Sequence, residues 1–298
     1  MAGIGATPAV KPRVIRYLVA ALMGAALIGL SPILVRLVHL GPLSTGFYRF
    51  AFSLPVLFSW MFFERRTEPA PVLSRRDYIL MIVGGAFFAL DIALWNLSLS
   101  HTSVVNSAIF NNCAAFFVPL LLWMVFAQKP QPVFLAAALV AFCGSIMLAA
   151  NGRSIHFASG DIFALMAGFG FAMYIVTVKE VRARVSTATI MWWTGLVSAI
   201  CLGVITWLSG ATLIPGSLSD WGVLVALAIC VHIGGQGLLT YSMGNLSAGF
   251  TAIVMLTAPI TASVLAWSLF GEALTFQKIM GGVLVLSSII ITRLSEKA

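Results

Sequence analysis

The chain has 298 residues, 60% of them hydrophobic and only 9% charged, with a formal net charge of +8. Soluble domains carry roughly a quarter of their residues as charges and disordered segments are poor in apolar residues, so both classes are excluded. No Lys/Arg-rich stretch is interleaved with aromatics as a nucleic-acid surface requires, which leaves an integral membrane protein.

A helix needs about 20 apolar residues to cross about 30 Å of hydrocarbon. Windows of that kind occur in chain order at 14–38, 42–63, 77–97, 104–126, 133–150, 160–178, 187–208, 219–239, 248–270 and 275–293. They are apolar all round and about twice the length of the alternating strands of a membrane barrel. An all-α fold of ten transmembrane helices is therefore expected. The first window is longer than a signal-peptide core and its pattern recurs later, so it is read as a retained span. Connections are short, and those at 64–77 and 209–220 are the longest polar ones, which leaves no room for a soluble or cofactor-binding domain. With the N-terminus inside, thirteen of the 17 Lys and Arg residues fall on the cytoplasmic side and four on the other. That bias puts both termini on the cytoplasmic side. Cys113, Cys143, Cys201 and Cys230 all lie within spans without a CxxC pair, so neither a disulfide nor a zinc site is expected.

The sequence repeats itself at an offset of about 143–144 residues. Leu22-Met23 through Arg36 lies over Leu165-Met166 through Lys179, Ser98 and Ser103 fall on Ser242 and Ser247, and Phe126-Ala127-Gln128 falls on Phe270-Gly271-Glu272. Each half, 14–150 and 160–293, holds five spans. Five is odd, so the second half is expected to sit inverted relative to the first, an architecture used by secondary transporters.

The segments Thr102-Ser103 through Ala115 and Asn245-Leu246-Ser247-Ala248, with Ala258-Pro259, Phe270-Gly271-Glu272 and Gly281-Gly282, resemble the EamA half-domain of the drug/metabolite transporter superfamily. In the first half Gln128 stands where Glu272 does, and the proline is Pro119 rather than at Ala115, where Pro259 maps. The resemblance, which covers residues 14–293 and extends to the bacterial exporters of aromatic amino acids, implies a transporter and supplies the expected substrate class.

The residues themselves exclude most chemistry. There is no GxSxG elbow, no HExxH and no paired intramembrane carboxylates, so no enzyme is expected; GxxxxGK[ST] is absent as well. No cofactor or metal is implied, and transport would run on the substrate gradient or a coupled ion.

An ionisable group inside a span costs about 2.5–3.5 kcal/mol and is a functional candidate by default. Asp91 is the only acid well inside one, and Trp95 at i+4 shares its face. A carboxylate beside an indole suits an ammonium through charge and cation–π attraction; alternatively Asp91 bonds a neighbouring helix or Arg49 and only holds the bundle. His232 and Gln236 are likewise at i and i+4, beside Gly234-Gly235 and Gly237. His232 reads either as a titratable site or as a packing imidazole. Asn111 and Asn112, beyond Asn106 and Ser107, cannot face lipid unpaired, so interhelical bonding and carboxylate recognition both fit. Tyr174 is deep enough to join the site, whereas Tyr241, Trp192, Trp193 and Trp267 sit where interfacial anchors do. Pro32, Pro55, Pro119 and Pro259 interrupt four spans, and Pro119 and Pro259, in repeat-equivalent helices, are candidate hinges or static bends. Arg36 and Lys179 end the first helix of each repeat, as dipole caps or gate contacts, and Glu272 is read as a structural residue opening the last span.

The expected function is export of amino acids, aromatic ones included, and similar small metabolites from cytoplasm to periplasm by alternating access. Its partners would be the small-molecule amino acids and membrane lipid, with no nucleic acid. An importer or antiporter of phosphorylated or nucleotide-linked metabolites would need a cluster of cations in the bundle, where only Arg49 is available. A non-transporting membrane scaffold is the remaining alternative.

Overall fold

A computed structural model describes residues 12–67, 73–150 and 158–295. Lys11, Arg153, His156 and Lys297 lie outside them, as do parts of the loops expected at 64–76 and 151–159. Among the described residues ten helices are long and apolar enough to cross a membrane: Ile15–Leu37, Pro42–Arg66, Arg75–His101, Asn106–Phe126, Pro132–Ala149, Ser159–Arg182, Thr187–Leu208, Leu218–Ser242, Ala248–Phe270 and Phe276–Leu294. Their bounds fall within four residues of the windows read from the sequence, because hydrocarbon thickness and apolar run length constrain each other. They are called spans one to ten below.

Repeat-equivalent spans begin and end with the same local chemistry. Ser74 Oγ accepts the Asp77 amide at 3.2 Å and Ser217 Oγ accepts the Asp220 amide at 3.1 Å, starting spans three and eight. Ser103 and Ser247 accept the Asn106 and Phe250 amides, both at 3.0 Å. These are N-caps that satisfy donors the helix cannot. Spans four and nine both finish in a left-handed residue, Ala127 (φ 54°) and Gly271 (φ 67°). In each the next amide reaches back to a carbonyl of the last turn, Gln128 to Leu122 and Glu272 to Ala266, both at 3.2 Å. This closure is one residue wider than the Schellman motif and likewise satisfies a carbonyl the helix leaves open. Glycine adopts it freely, whereas Ala127 carries strain of roughly 1–2 kcal/mol.

The register between halves changes inside span eight. Ser74 and Ser217 are 143 residues apart and Ser98 and Ser242 are 144 apart, so the stretch of span eight up to Ser242 is one residue longer than its counterpart in span three. Leu227–Gln236 accommodates it by winding as a π-helix. Such wide turns are rare and frequently occur at functional sites.

Four spans are broken midway. Span one breaks at Gly29–Leu30, span two at Phe52–Ser53, span four at Asn112–Cys113 and span nine at Leu256–Thr257. Pro32, Pro55 and Pro259 stand in the first turn after their breaks, where a missing N–H is harmless. Pro119 differs: it lies inside the continuous helix Ala114–Phe126. The interruption expected there is displaced to Asn112–Cys113, two to three residues before Ala115, whose carbonyl the Pro119 ring crowds.

Close packing is set by small residues. A Cβ on Gly144 would stand 2.6 Å from the Gly281 carbonyl, and one on Gly281 would stand 2.6 Å from the Gly144 carbonyl, so spans five and ten touch backbone to backbone. Gly144→Ala is expected to destabilise the protein by about 1–3 kcal/mol, read as a lower thermal midpoint in detergent. Gly216→Ala, with no atom within 4 Å, should leave the midpoint unchanged; equal midpoints for the two variants would refute tight packing of this pair.

One end of the bundle is fastened by polar contacts. Lys179 Nζ donates to the carbonyls of Met243 and Leu246 at 2.7 and 2.8 Å, and the Tyr17 and Tyr241 rings lie 5.0 Å apart. Nearby, Arg184 Nη2 donates to Asp77 Oδ1 at 2.7 Å. This end holds the starts of the odd-numbered spans and the finishes of the even-numbered ones.

Candidate functional site

The breaks in spans one, four and nine surround a cavity of about 810 Å³. Gly29, Asn112 and Leu256, one residue from each break, all line it. Irregular backbone at membrane depth is tolerated where it faces such a cavity rather than lipid. The cavity extends to the end opposite Lys179, where Arg36, Thr102, Ser103, Glu272, Ala273 and Lys278 form its mouth.

Its inner part collects the polar groups. Asp91 is 5% exposed and Arg49 7%, and both line the cavity with Asn111, Asn112 and Gln236. Asn111 Nδ2 donates to Asp91 Oδ1 over a long 3.4 Å, and Asn112 Nδ2 donates to Ser145 Oγ at 3.1 Å. Asn112 therefore both ties span four to span five and faces the cavity. Asp91 and Arg49 interact electrostatically. The apolar lining beside them is Trp95, Phe88 and Phe171 together with aliphatic side chains.

Asp91, Trp95, Asn111, Asn112 and Gln236 line one cavity, and so does Pro259. Two other candidates lie behind the wall. Tyr174 is fully buried and stacks on Phe88 with ring centres 4.2 Å apart, its hydroxyl facing Thr240, Gln236 and Thr194. His232 is fully buried, packs edge-on against Phe50 at 4.5 Å, lies 5.9 Å from Phe88, and finds no hydrogen-bond partner for either ring nitrogen. The face-sharing argument for His232 and Gln236 assumes an α-helix. In the π-wound stretch that holds both, a turn takes more than four residues, so Gln236 reaches the cavity and His232 does not.

The sequence offered Arg36 as a gate contact but not Glu272 as its partner. Glu272 does not open span ten, which starts at Phe276; the turn at Gly271 swings it back across the cavity. There Arg36 Nη1 lies 3.2 Å from Glu272 Oε1 and Lys278 Nζ lies 3.6 Å from Glu272 Oε2. A partner 236 positions away leaves no local signal, although a basic residue closing span one and an acid following span nine were both visible.

Ten apolar helices around a cavity that reaches one end of the bundle define a multi-pass membrane protein. The EamA-like transporter family matches residues 15–150 and again 158–294. The chain belongs to that family, with the domain duplicated, and is a membrane transporter. A probable amino-acid metabolite efflux pump of Salmonella typhimurium is 28% identical over 270 residues, covering 86% of this chain and 87% of the relative. The pseudopaline exporter CntI of Pseudomonas aeruginosa is 22% identical over 228 residues, covering 76% and 78%. A crystal structure at 16% identity superposes with a TM-score of 0.78 over 93% of this chain and 96% of its own, which shows the fold.

Proposed function

We propose that the protein exports amino acids, aromatic ones included, and similar small metabolites from the cytoplasm across the bacterial inner membrane by alternating access. The observation that carries this is the cavity holding Asp91 beside Trp95, a carboxylate and an indole at mid-membrane depth. The carboxylate suits the ammonium, Trp95 and Phe88 suit an apolar side chain, and Asn111, Asn112 and Gln236 supply polar contacts. The relatives in Salmonella and Pseudomonas, an efflux pump and an exporter, support outward movement of metabolites, and the resemblance to exporters of aromatic amino acids supports the substrate class. An anionic phosphate as cargo is disfavoured: at the mouth Arg36 and Lys278 are both engaged by Glu272, which among the described residues leaves Arg49 as the cation facing the cavity without an ion pair.

Alternating access is supported by the asymmetry of the ends. Lys179 and the Tyr17–Tyr241 pair fasten one end while the cavity opens at the other, the arrangement of an outward-open state. An inverted relation of the halves is supported by contacts that exchange partners. Asp77, starting span three, meets Arg184 in the loop after span six; Asp220, starting span eight, meets His39 in the loop after span one. In a two-fold inverted pair these are one contact seen twice.

Transport is tested in proteoliposomes by counterflow across a panel of amino acids and sugar phosphates. Counterflow of phosphates in preference to amino acids would defeat the reading. Orientation is tested separately in a Cys-free background. Single cysteines at 98–103 and 151–159 are expected to react with an impermeant thiol reagent in intact cells, and those at 64–76 and 179–186 only after lysis. Labelling of the 64–76 loop in intact cells would reverse the direction of transport.

A further inference from the structure

We infer that Arg49 is the anchor for the carboxylate of the cargo, so that the cavity recognises the zwitterionic head of an α-amino acid as one unit. The inference rests on the reading above for the nature of the cargo and goes beyond it in assigning the second pole. Arg49 lies in the last turn of Pro42–Ala51, just before the break in span two. It is 7% exposed and lines the cavity. Its guanidinium makes no hydrogen bond among the described residues, and its Nε is shut off from solvent without an acceptor. A buried guanidinium without acceptors is costly, so the group is placed for a ligand or it is a defect.

Pairing with Asp91 would remove the cost, since attraction between charges grows as they approach in a low dielectric. The two feel each other's charge, yet no ion pair between them is formed within 4.0 Å among the described residues. Asp91 instead takes the Asn111 amide. Two opposite charges facing one cavity and held apart leave a gap with the polarity of a zwitterion. The Phe50 and Phe88 rings lie 6.0 and 5.9 Å from the Arg49 guanidinium carbon. Contact with a ring face leaves the in-plane N–H groups unused, and these match a carboxylate in two-point fashion. Gln236, 1% exposed and lining the same cavity, has an Nε2 without an acceptor and is a further donor there.

The test is equilibrium binding to the purified full chain with phenylalanine, phenylalaninamide (no carboxylate) and N-acetylphenylalanine (no ammonium). Wild type is expected to bind both analogues about ten- to hundredfold more weakly than phenylalanine, the value of one charge-assisted hydrogen bond. Arg49→Gln is expected to weaken phenylalanine by a similar factor and to leave phenylalaninamide unchanged or tighter, with Arg49→Lys in between. Wild-type binding of the amide as tight as that of phenylalanine overturns the inference whether or not the variants fold. So does an Arg49→Gln variant that loses both ligands equally at an unchanged thermal midpoint, because Arg49 then serves only the helix end or Asp91. Discrimination among the three probes without flux in proteoliposomes defeats the export reading and leaves the Arg49 assignment standing. Flux without discrimination does the reverse, and no binding of phenylalanine, threonine or lysine overturns both.

Discussion

Replacing Asp91 by Asn is expected to cut transport roughly ten- to hundredfold while leaving expression and thermal midpoint near wild type. The factor follows from the ~1.5–3 kcal/mol carried by a hydrogen bond to a charged group, lost here between Asp91 and the ammonium of the cargo. Stability should hold, because the side chain has few commitments: one long bond from Asn111 at 3.4 Å and an electrostatic interaction with Arg49. The amide is isosteric, keeps an acceptor for Asn111 and carries no charge that burial penalises. Initial rates of counterflow, compared with thermal unfolding of the same preparation, separate the outcomes. A variant that transports like wild type assigns Asp91 to the framework; one that melts well below wild type assigns it to folding.

What the sequence made legible was whatever local rules determine. Span existence follows from apolar run length, and the duplicated plan follows from an offset that drifts by a single residue over the chain. The depth of Asp91, Asn111 and Gln236 followed from the same counting. Legibility ended where winding or long-range pairing decided. The one-residue drift was visible, but nothing local told whether it would be absorbed by a loop or within span eight, and the π-wound stretch Leu227–Gln236 is what separates His232 from the cavity. Proline marked three of the four breaks. The fourth, at Asn112–Cys113, has its proline a turn too late, so a rule that puts the break at the ring misplaced it. Tyr174 was rightly read as deep, but depth does not say which side of Phe88 a ring occupies.

The mouth and the fastened end also explain why single residues of one repeat differ from their equivalents. Arg36 and Lys179 occupy the same repeat position, 143 residues apart. Lys179 is held by two carbonyls of the turn after span eight, whereas Arg36 and Glu272 are each about half exposed and meet across an open cavity. A charge pair in high dielectric contributes little, typically 0–1 kcal/mol. The mouth is therefore lightly held, as the alternating access proposed above would require.

Trp95→Ala should damage selectivity more than it damages transport as such. Trp95 is half-buried and lines the cavity one turn from Asp91, so a ring on the cargo would lie against it while the ammonium meets the carboxylate. Burying ~150–250 Å² of aromatic surface at about 25 cal/mol per Å² contributes roughly 4–6 kcal/mol before the costs of binding. An exporter must also release its cargo, so net affinity should be weak, near the millimolar range. Removing one wall of that contact deprives phenylalanine or tryptophan of a large share, while threonine, which buries little surface there, loses almost nothing. The expected result is a phenylalanine-to-threonine rate ratio that falls by about tenfold or more, equivalent to ~1.4 kcal/mol of lost contact, with the threonine rate near wild type. Because Phe88 and Phe171 remain in the wall, aromatic transport should fall short of complete loss. Equal loss for both amino acids would mean that Trp95 packs the bundle, and the apolar subsite would then have to be sought at Phe88.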